Sequence, residues 1–287
     1  MLCGNETRLI ENRDGSEKNG FSAAVLKNVA AAAMLTDHLA QSLGAGCLRS
    51  IGVARLYSNP LYTGMVYLGR LAFPLYAFLL AEGAYYTHSR RQYVLRLVFF
   101  SLVSWIPFNI AFGKPALSSD SLNVFFTLLL GILTIIAVER TEILLGNRKT
   151  GFMRILQAGC IIVSCAVAGL LHTDYGFFGI GLILLFYHFR NNKKKMLTVV
   201  GVCYIPLFWL YSIFILKGYF HNYMTVGAYL LYCLKYTMRE AWGLTALPLL
   251  SCYNGERGKQ LPKLFYYWFY PVHLLFLWIV GKTLHIL

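Results

Sequence analysis

Long apolar runs, separated by short basic loops, constrain this chain more than any other feature. A helix needs about 20 consecutive apolar residues to cross the hydrocarbon of a bilayer. In lipid every backbone amide must be bonded within the protein, which leaves only helices and closed barrels. Barrel strands alternate apolar and polar side chains, whereas these runs are continuous, and that selects helices. The chain is 57% hydrophobic and 13% charged, against about 25% charged in soluble domains. Lipid must therefore be part of its solvent. Its 25 glycines and eight prolines are compatible with spans, because both residues are more frequent in membrane helices than in soluble ones. The expected fold class is all-α, a polytopic integral membrane helix bundle of about ten transmembrane helices. The runs place them near 22–44, 62–84, 94–112, 121–139, 153–171, 175–189, 196–216, 222–236, 239–253 and 264–284.

Residues 1–21 read as a polar cytoplasmic tail and 22–287 as a single transmembrane domain. The first run is expected to act as an uncleaved membrane signal, because the tail has no short apolar core followed by a small-residue cleavage site. The seven cysteines are scattered with no C-x-x-C pair, and neither a disulfide framework nor a zinc site is expected. The net charge of +14 sits mainly in short loops, so membrane topology explains it before nucleic acid does. With the N-terminus cytoplasmic, the inward loops hold Arg90, Arg91 and Arg96, then Arg140, Arg148, Lys149 and Arg154, then Arg190 and Lys193 to Lys195. Outward loops hold Lys114, Lys217, Arg49 and Arg55. One region disagrees: on a count of ten, the loop with Arg257, Lys259 and Lys263 falls outside.

A charge at the bilayer centre costs roughly 2.5–3.5 kcal/mol even on lenient scales, so ionisable residues within spans are candidates for function. The first run carries Lys27, Asp37 and His38. Eleven residues separate Lys27 from His38, about three helical turns, so the two share a face about 16 Å apart along the axis. That spacing suits acetyl-CoA, with phosphate neutralised at Lys27 and the thioester meeting His38 deeper in. Histidine gives or takes a proton near neutral pH, and it also serves as a covalent acyl carrier; both roles stay open. Snorkelling at a helix end is the bland reading of Lys27. Asp37 lies about 100° around the helix from His38 and is expected to bond another span, orient a second polar group or bind a substrate amine. In the second run, Pro74 withholds an amide from the Arg70 carbonyl, and Glu82 follows near the cytoplasmic end; interhelical pairing is the alternative to a ligand role for each. Asn123, Asp174, Tyr175, Asn254, Arg257 and His273 are further polar points at helix ends. No G-x-S-x-G, Walker or H-E-x-x-H signature occurs, which removes the common hydrolase, nucleotide-motor and zincin classes.

At these residues the chain resembles the TraX family of F-type pilin N-acetylase-like membrane proteins. The blocks are Leu26-Lys27, Met34 and Asp37-His38; Gly69 to Pro74 through Glu82-Gly83; Asn123, Phe126-Thr127 and Gly131; Asp174-Tyr175-Gly176; and Tyr253 to Gly255, Arg257-Gly258, Tyr270-Pro271 and His273-Leu274. Ala40 and Val29 depart from the family's usual glycine and isoleucine as packing changes. The Lys27–His38 spacing is also similar to that of membrane acyltransferases acting on cell-envelope glycans. The resemblance implies an acyltransferase-like domain in the bacterial cytoplasmic membrane, using cytoplasmic acetyl-CoA and no metal. In that reading His38 and Asp37 are catalytic, and Lys27 and Arg70 hold acetyl-CoA. Glu82, Asn123, Asp174, Tyr175, Asn254, Arg257 and His273 line the site. The implied acceptor is the N-terminal amine of a pilin-like peptide, or a glycan hydroxyl or amine. A proton-coupled transporter using the same buried residues, and a noncatalytic pilus-assembly scaffold, are the rival expectations.

Overall fold

The computed structural model describes residues 19–53, 55–145, 151–218 and 225–286. The expected tail, apart from residues 19–21, lies outside the described residues, as do Cys3, Arg148 and Lys149. Helix dominates, and the only strand-like pairing among the described residues is two isolated bridges, Phe21 with Tyr253 and Leu122 with Thr173.

The first helix, α1 (Ala23–Leu39), continues through a π-helical turn (Ala40–Gly44) into α2 (Ala45–Ser50). The second run is α3 (Pro60–Gly69) and α4 (Ala72–Tyr86), interrupted at Arg70-Leu71, three residues before the amide that Pro74 lacks. Then come α5 (Arg90–Val103), α6 (Trp105–Ala111), α7 (Val124–Leu145), α8 (Gly151–Leu170), α9 (Gly176–Phe189) and α10 (Lys193–Ile215). The chain closes with α11 (Val226–Glu240), a 3-10 turn (Ala241–Thr245), α12 (Ala246–Ser251) and α13 (Lys263–Thr283). Several starts are written in the sequence. Asn59, Ser89, Asn192 and Thr225 each accept an amide hydrogen from the first turn with their side chains, satisfying donors that have no partner inside the helix.

Among the described residues, six helical segments are long and apolar enough to cross a membrane: Pro60–Tyr86, Arg90–Ala111, Val124–Leu144, Gly151–Leu170, Lys193–Ile215 and Leu264–Thr283. The expected count of ten is thus not reached on length and composition. The first run falls short because its polar residues lower its hydropathy, and α9 has only 14 residues.

The expected spans 222–236 and 239–253 differ most from the structure. Helical turns run without a break from Val226 to Ser251, and the whole run lies antiparallel along α10. The Tyr229 hydroxyl donates to the Ile213 carbonyl. Ser212 Oγ donates to Cys233 O at 3.3 Å, Tyr204 Oη donates to Glu240 O at 3.3 Å, and Lys193 Nζ donates to Tyr253 O at 2.8 Å. As one partner's number falls, the other's rises, as two rods side by side require. Thr237 and Met238, taken as a loop, lie inside helix because Thr237 is buried and bonds Cys233 O and Ser212 Oγ.

One crossing in place of two moves the 252–262 loop to the end of the bundle that carries the other basic loops. The contacts there agree. The Tyr253 hydroxyl donates to Glu82 at 3.4 Å. The Arg190 guanidinium lies 4.2 Å from the Tyr85 ring centre and 4.3 Å from that of Tyr187. Glu139 receives Arg90 and the Tyr187 hydroxyl. The disagreement with the charge rule therefore came from splitting one helical run.

Between these ends the side chains pack into a core, with Phe178, Ile132, Ile183 and Phe186 fully buried. Helices α1 and α13 run parallel through it: Tyr266 Oη donates to Asn28 Oδ1 at 2.8 Å, His38 meets His273 further along, and Gly46 abuts the Ile286 backbone near the far end.

Candidate functional site

A cavity of about 420 Å³ reaches inward from the basic end between α1, α4, α5 and α13. Lys27, Arg96 and Arg257 bring positive charge to its wall, beside Glu82 and Gln260. Tyrosines line much of the remainder, giving apolar faces with polar tips. Lys27 Nζ donates to Gln260 Oε1 at 2.8 Å and lies 5.6 Å from the centre of the Tyr266 ring. Burial, with the Glu82 carboxylate nearby, pushes the Tyr253 phenol up. The deepest lining residues include Met34 and Tyr270.

His38 lies one turn beyond Met34 on α1, with its ring edge-on to Tyr270 at 5.6 Å. Phe112 stands edge-on to it, also at 5.6 Å. The His273 ring lies edge to edge with that of His38, centres 5.0 Å apart and planes 11° from parallel. His38 Nδ1 is 2.7 Å from His273 Nε2, and His273 Nδ1 is 2.6 Å from the Phe269 carbonyl.

A second polar centre lies on the adjacent face of α1. Gln41 Nε2 donates to Asp37 Oδ2 at 2.6 Å. Arg70 Nη2 is 3.7 Å from Asp37 Oδ1, and Arg70 Nε is 3.1 Å from Glu240 Oε2. All three side chains are at least 86% enclosed, at 13–14% exposure for Asp37 and Arg70 and 8% for Glu240. Enclosed charges persist only when paired, and here two carboxylates flank one guanidinium. Gly69 makes the approach possible: a Cβ there would sit 2.2 Å from Asp37 Cβ. Gly243 does the same opposite, where a Cβ would meet the Tyr204 hydroxyl at 2.0 Å and the Arg70 carbonyl at 3.2 Å.

Asp174 and Tyr175 occupy the α8–α9 loop near this centre. Thr127 donates to the Asp174 carbonyl, and the Tyr175 ring stacks on Phe73 at 3.8 Å. Tyr175 holds a left-handed backbone at φ 61°, a conformation costly for a bulky residue and held only by strong surroundings. Burial pushes the Asp174 carboxyl up to about 7, against the pull of Arg70.

The expected site residues thus divide. Lys27, Glu82 and Arg257 meet at the cavity, and His38 and His273 pair beyond its deep end. Arg70 does not line the cavity; its charge is taken up by Asp37 and Glu240. Asn123 is fully buried, donating to Ser101 O at 2.9 Å and accepting from Phe125 N at 3.0 Å, so its amide shapes the start of α7. Asn254 shapes the turn after α12, its Oδ1 accepting from Glu256 N at 3.0 Å. Glu240, Gln41, Arg96, Gln260 and Tyr270 were missed as site residues. Gln41 had a signal, four residues after Asp37 on the same face. Arg96 had been counted as a loop charge.

The class this defines is a multi-spanning helical membrane protein with polar groups enclosed between its first and last helices. Within that class the chain belongs to the TraX protein family, whose profile matches residues 22–281. A similar curated protein is the probable fimbrial assembly protein FimC, serogroup H1, of Dichelobacter nodosus. It is 26% identical over 267 residues, covering 90% of this chain and 94% of the relative. No solved structure gives a significant match.

Proposed function

We propose that this protein is a pilus-related acetyltransferase of the bacterial cytoplasmic membrane, moving acetyl from cytoplasmic acetyl-CoA to an envelope acceptor. The observation that carries the reading is the arrangement of a cavity with basic groups on its wall, and a paired histidine beyond its deep end. Lys27, Arg96 and Arg257 would face the phosphates, because ammonium and guanidinium groups make strong charge-assisted bonds to them. The apolar and tyrosine wall would take the pantetheine arm. Tyr270, between the cavity and His38, would shift to admit the thioester. Family membership and the fimbrial relative support a pilus-related role and an acceptor such as the N-terminal amine of a pilin-like peptide; a glycan hydroxyl or amine is the other acceptor class. The acceptor attacks the thioester carbonyl, the new C–N or C–O bond forms, and the C–S bond breaks. His38 takes the acceptor's proton and returns it to the departing thiolate. In the covalent variant His38 first takes the acetyl group itself. In this reading the N-terminus is cytoplasmic, which the clustering of basic loops at the end where α1 starts supports.

The enclosed Asp37, Arg70 and Glu240 favour a second reading, proton-coupled transport, since intramembrane charges often mark ion paths. Purified protein with labelled acetyl-CoA separates the readings. CoA release or acetyl exchange, abolished by His38→Ala in a protein that still folds, is the expected outcome. Solute flux without CoA chemistry would favour the carrier, neither activity would favour a scaffold, and near-normal turnover by His38→Ala would remove the mechanism.

A further inference from the structure

Hydrogen-bond constraints on the histidine pair fix where its protons sit. The Phe269 carbonyl has no proton to give, so His273 Nδ1–H must donate across the 2.6 Å contact. Neutral His273 then has its lone pair on Nε2. That atom is 2.7 Å from His38 Nδ1, so His38 Nδ1–H donates to it. Neutral His38 is left with its lone pair on Nε2. We propose that His273 is a positioning residue that holds His38 as the Nδ1–H tautomer and makes Nε2 its reacting atom.

This rests on the acetyl-transfer reading and assigns one atom within it. The surroundings oppose a ring flip that would exchange the two nitrogens. Phe112 and Tyr270 stand edge-on at 5.6 Å, and a flip would break the Nδ1 contact to His273. The tautomer of a histidine is set by the bond its other nitrogen makes. The chain of bonds also ends at a carbonyl, which cannot ionise. A proton taken by His38 Nε2 therefore has no exit through α13 and must leave from Nε2, the atom that received it. The thiolate formed as the C–S bond breaks is the acceptor chemistry requires. Asp37 gives the proton no second route, because it lies about 100° around α1 and is occupied by Arg70 and Gln41.

His273→Phe keeps an aromatic ring but removes the acceptor for His38 Nδ1. Turnover is expected to fall about 10- to 100-fold, as when a metal-bound histidine loses its orienting partner, with the acetyl-CoA KM unchanged. His273→Gln restores an acceptor oxygen and should recover part of the loss. Nitrogen-15 NMR of histidine-labelled protein in bilayers reads the tautomer without activity: the bare nitrogen of wild-type His38 should be Nε2, and His273→Phe should give a tautomer mixture. A wild-type His38 protonated on Nε2, or normal turnover in His273→Phe, overturns the assignment. If wild-type protein releases no CoA, the acetyl-transfer reading fails, and the NMR result still decides the tautomer.

Discussion

Gly69 shows how much at this site depends on one missing side chain. Asp37 reaches the Arg70 region only because no Cβ stands at position 69. Gly69→Ala is expected to cost about 1–3 kcal/mol, as overpacking usually does, and to separate Asp37 from Arg70. Gly64 is the internal control, because a Cβ there meets nothing within 4 Å; Gly64→Ala should be neutral or stabilising by about 0.5–1 kcal/mol. Thermal unfolding in detergent compares the two, and equal behaviour would show that the close approach does not matter. Asp37, His38 and Arg70 were legible in the sequence, because a charge in an apolar run announces itself. Glu240 was equally visible by that logic but sat at the start of a span thought to begin at 239. The partnership of His38 with His273 was not legible, because 235 residues separate them and no local pattern encodes such a contact.

Nearly every apolar run marked a helix, because hydrophobic length is written directly in sequence. The exceptions have physical causes. The run over 226–251 was divided at Tyr236-Thr237-Met238 into two short spans; Thr237 is instead buried, bonded to Cys233 O one turn back on α11 and to Ser212 Oγ on α10. A buried hydroxyl bonded to backbone reads like a surface one when only composition is seen. The single-run reading makes a topological prediction. Reporter fusions after Lys194 and after Glu256 should report the same side of the membrane. Two crossings between Val226 and Tyr253 would place them on opposite sides and refute the continuous run.

Across the whole molecule, the cavity gives a distinction between binding and chemistry. Lys27→Gln and Arg96→Gln should each raise the acetyl-CoA KM about tenfold while leaving kcat nearly unchanged, as loss of a contact shared by ground and transition states does. A fall in kcat without a KM change would place these residues elsewhere in the mechanism. The start of α1 is also tied to the loop before α13. Phe21 N donates to Cys252 O at 2.8 Å, Asn254 N to Phe21 O at 3.0 Å, Ala23 N to Glu256 O at 2.8 Å and Ala24 N to Arg257 O at 3.0 Å. During synthesis, α1 leaves the ribosome long before the backbone that anchors its start. Lys27 waits through 233 further residues for Gln260. The segment carrying His38 packs early against Gly69 and Arg70, but it lacks its His273 partner until α13 arrives. Ribosome-associated chains that end before residue 263 hold every catalytic candidate on α1 but lack His273, so any activity would switch on only once α13 has been made.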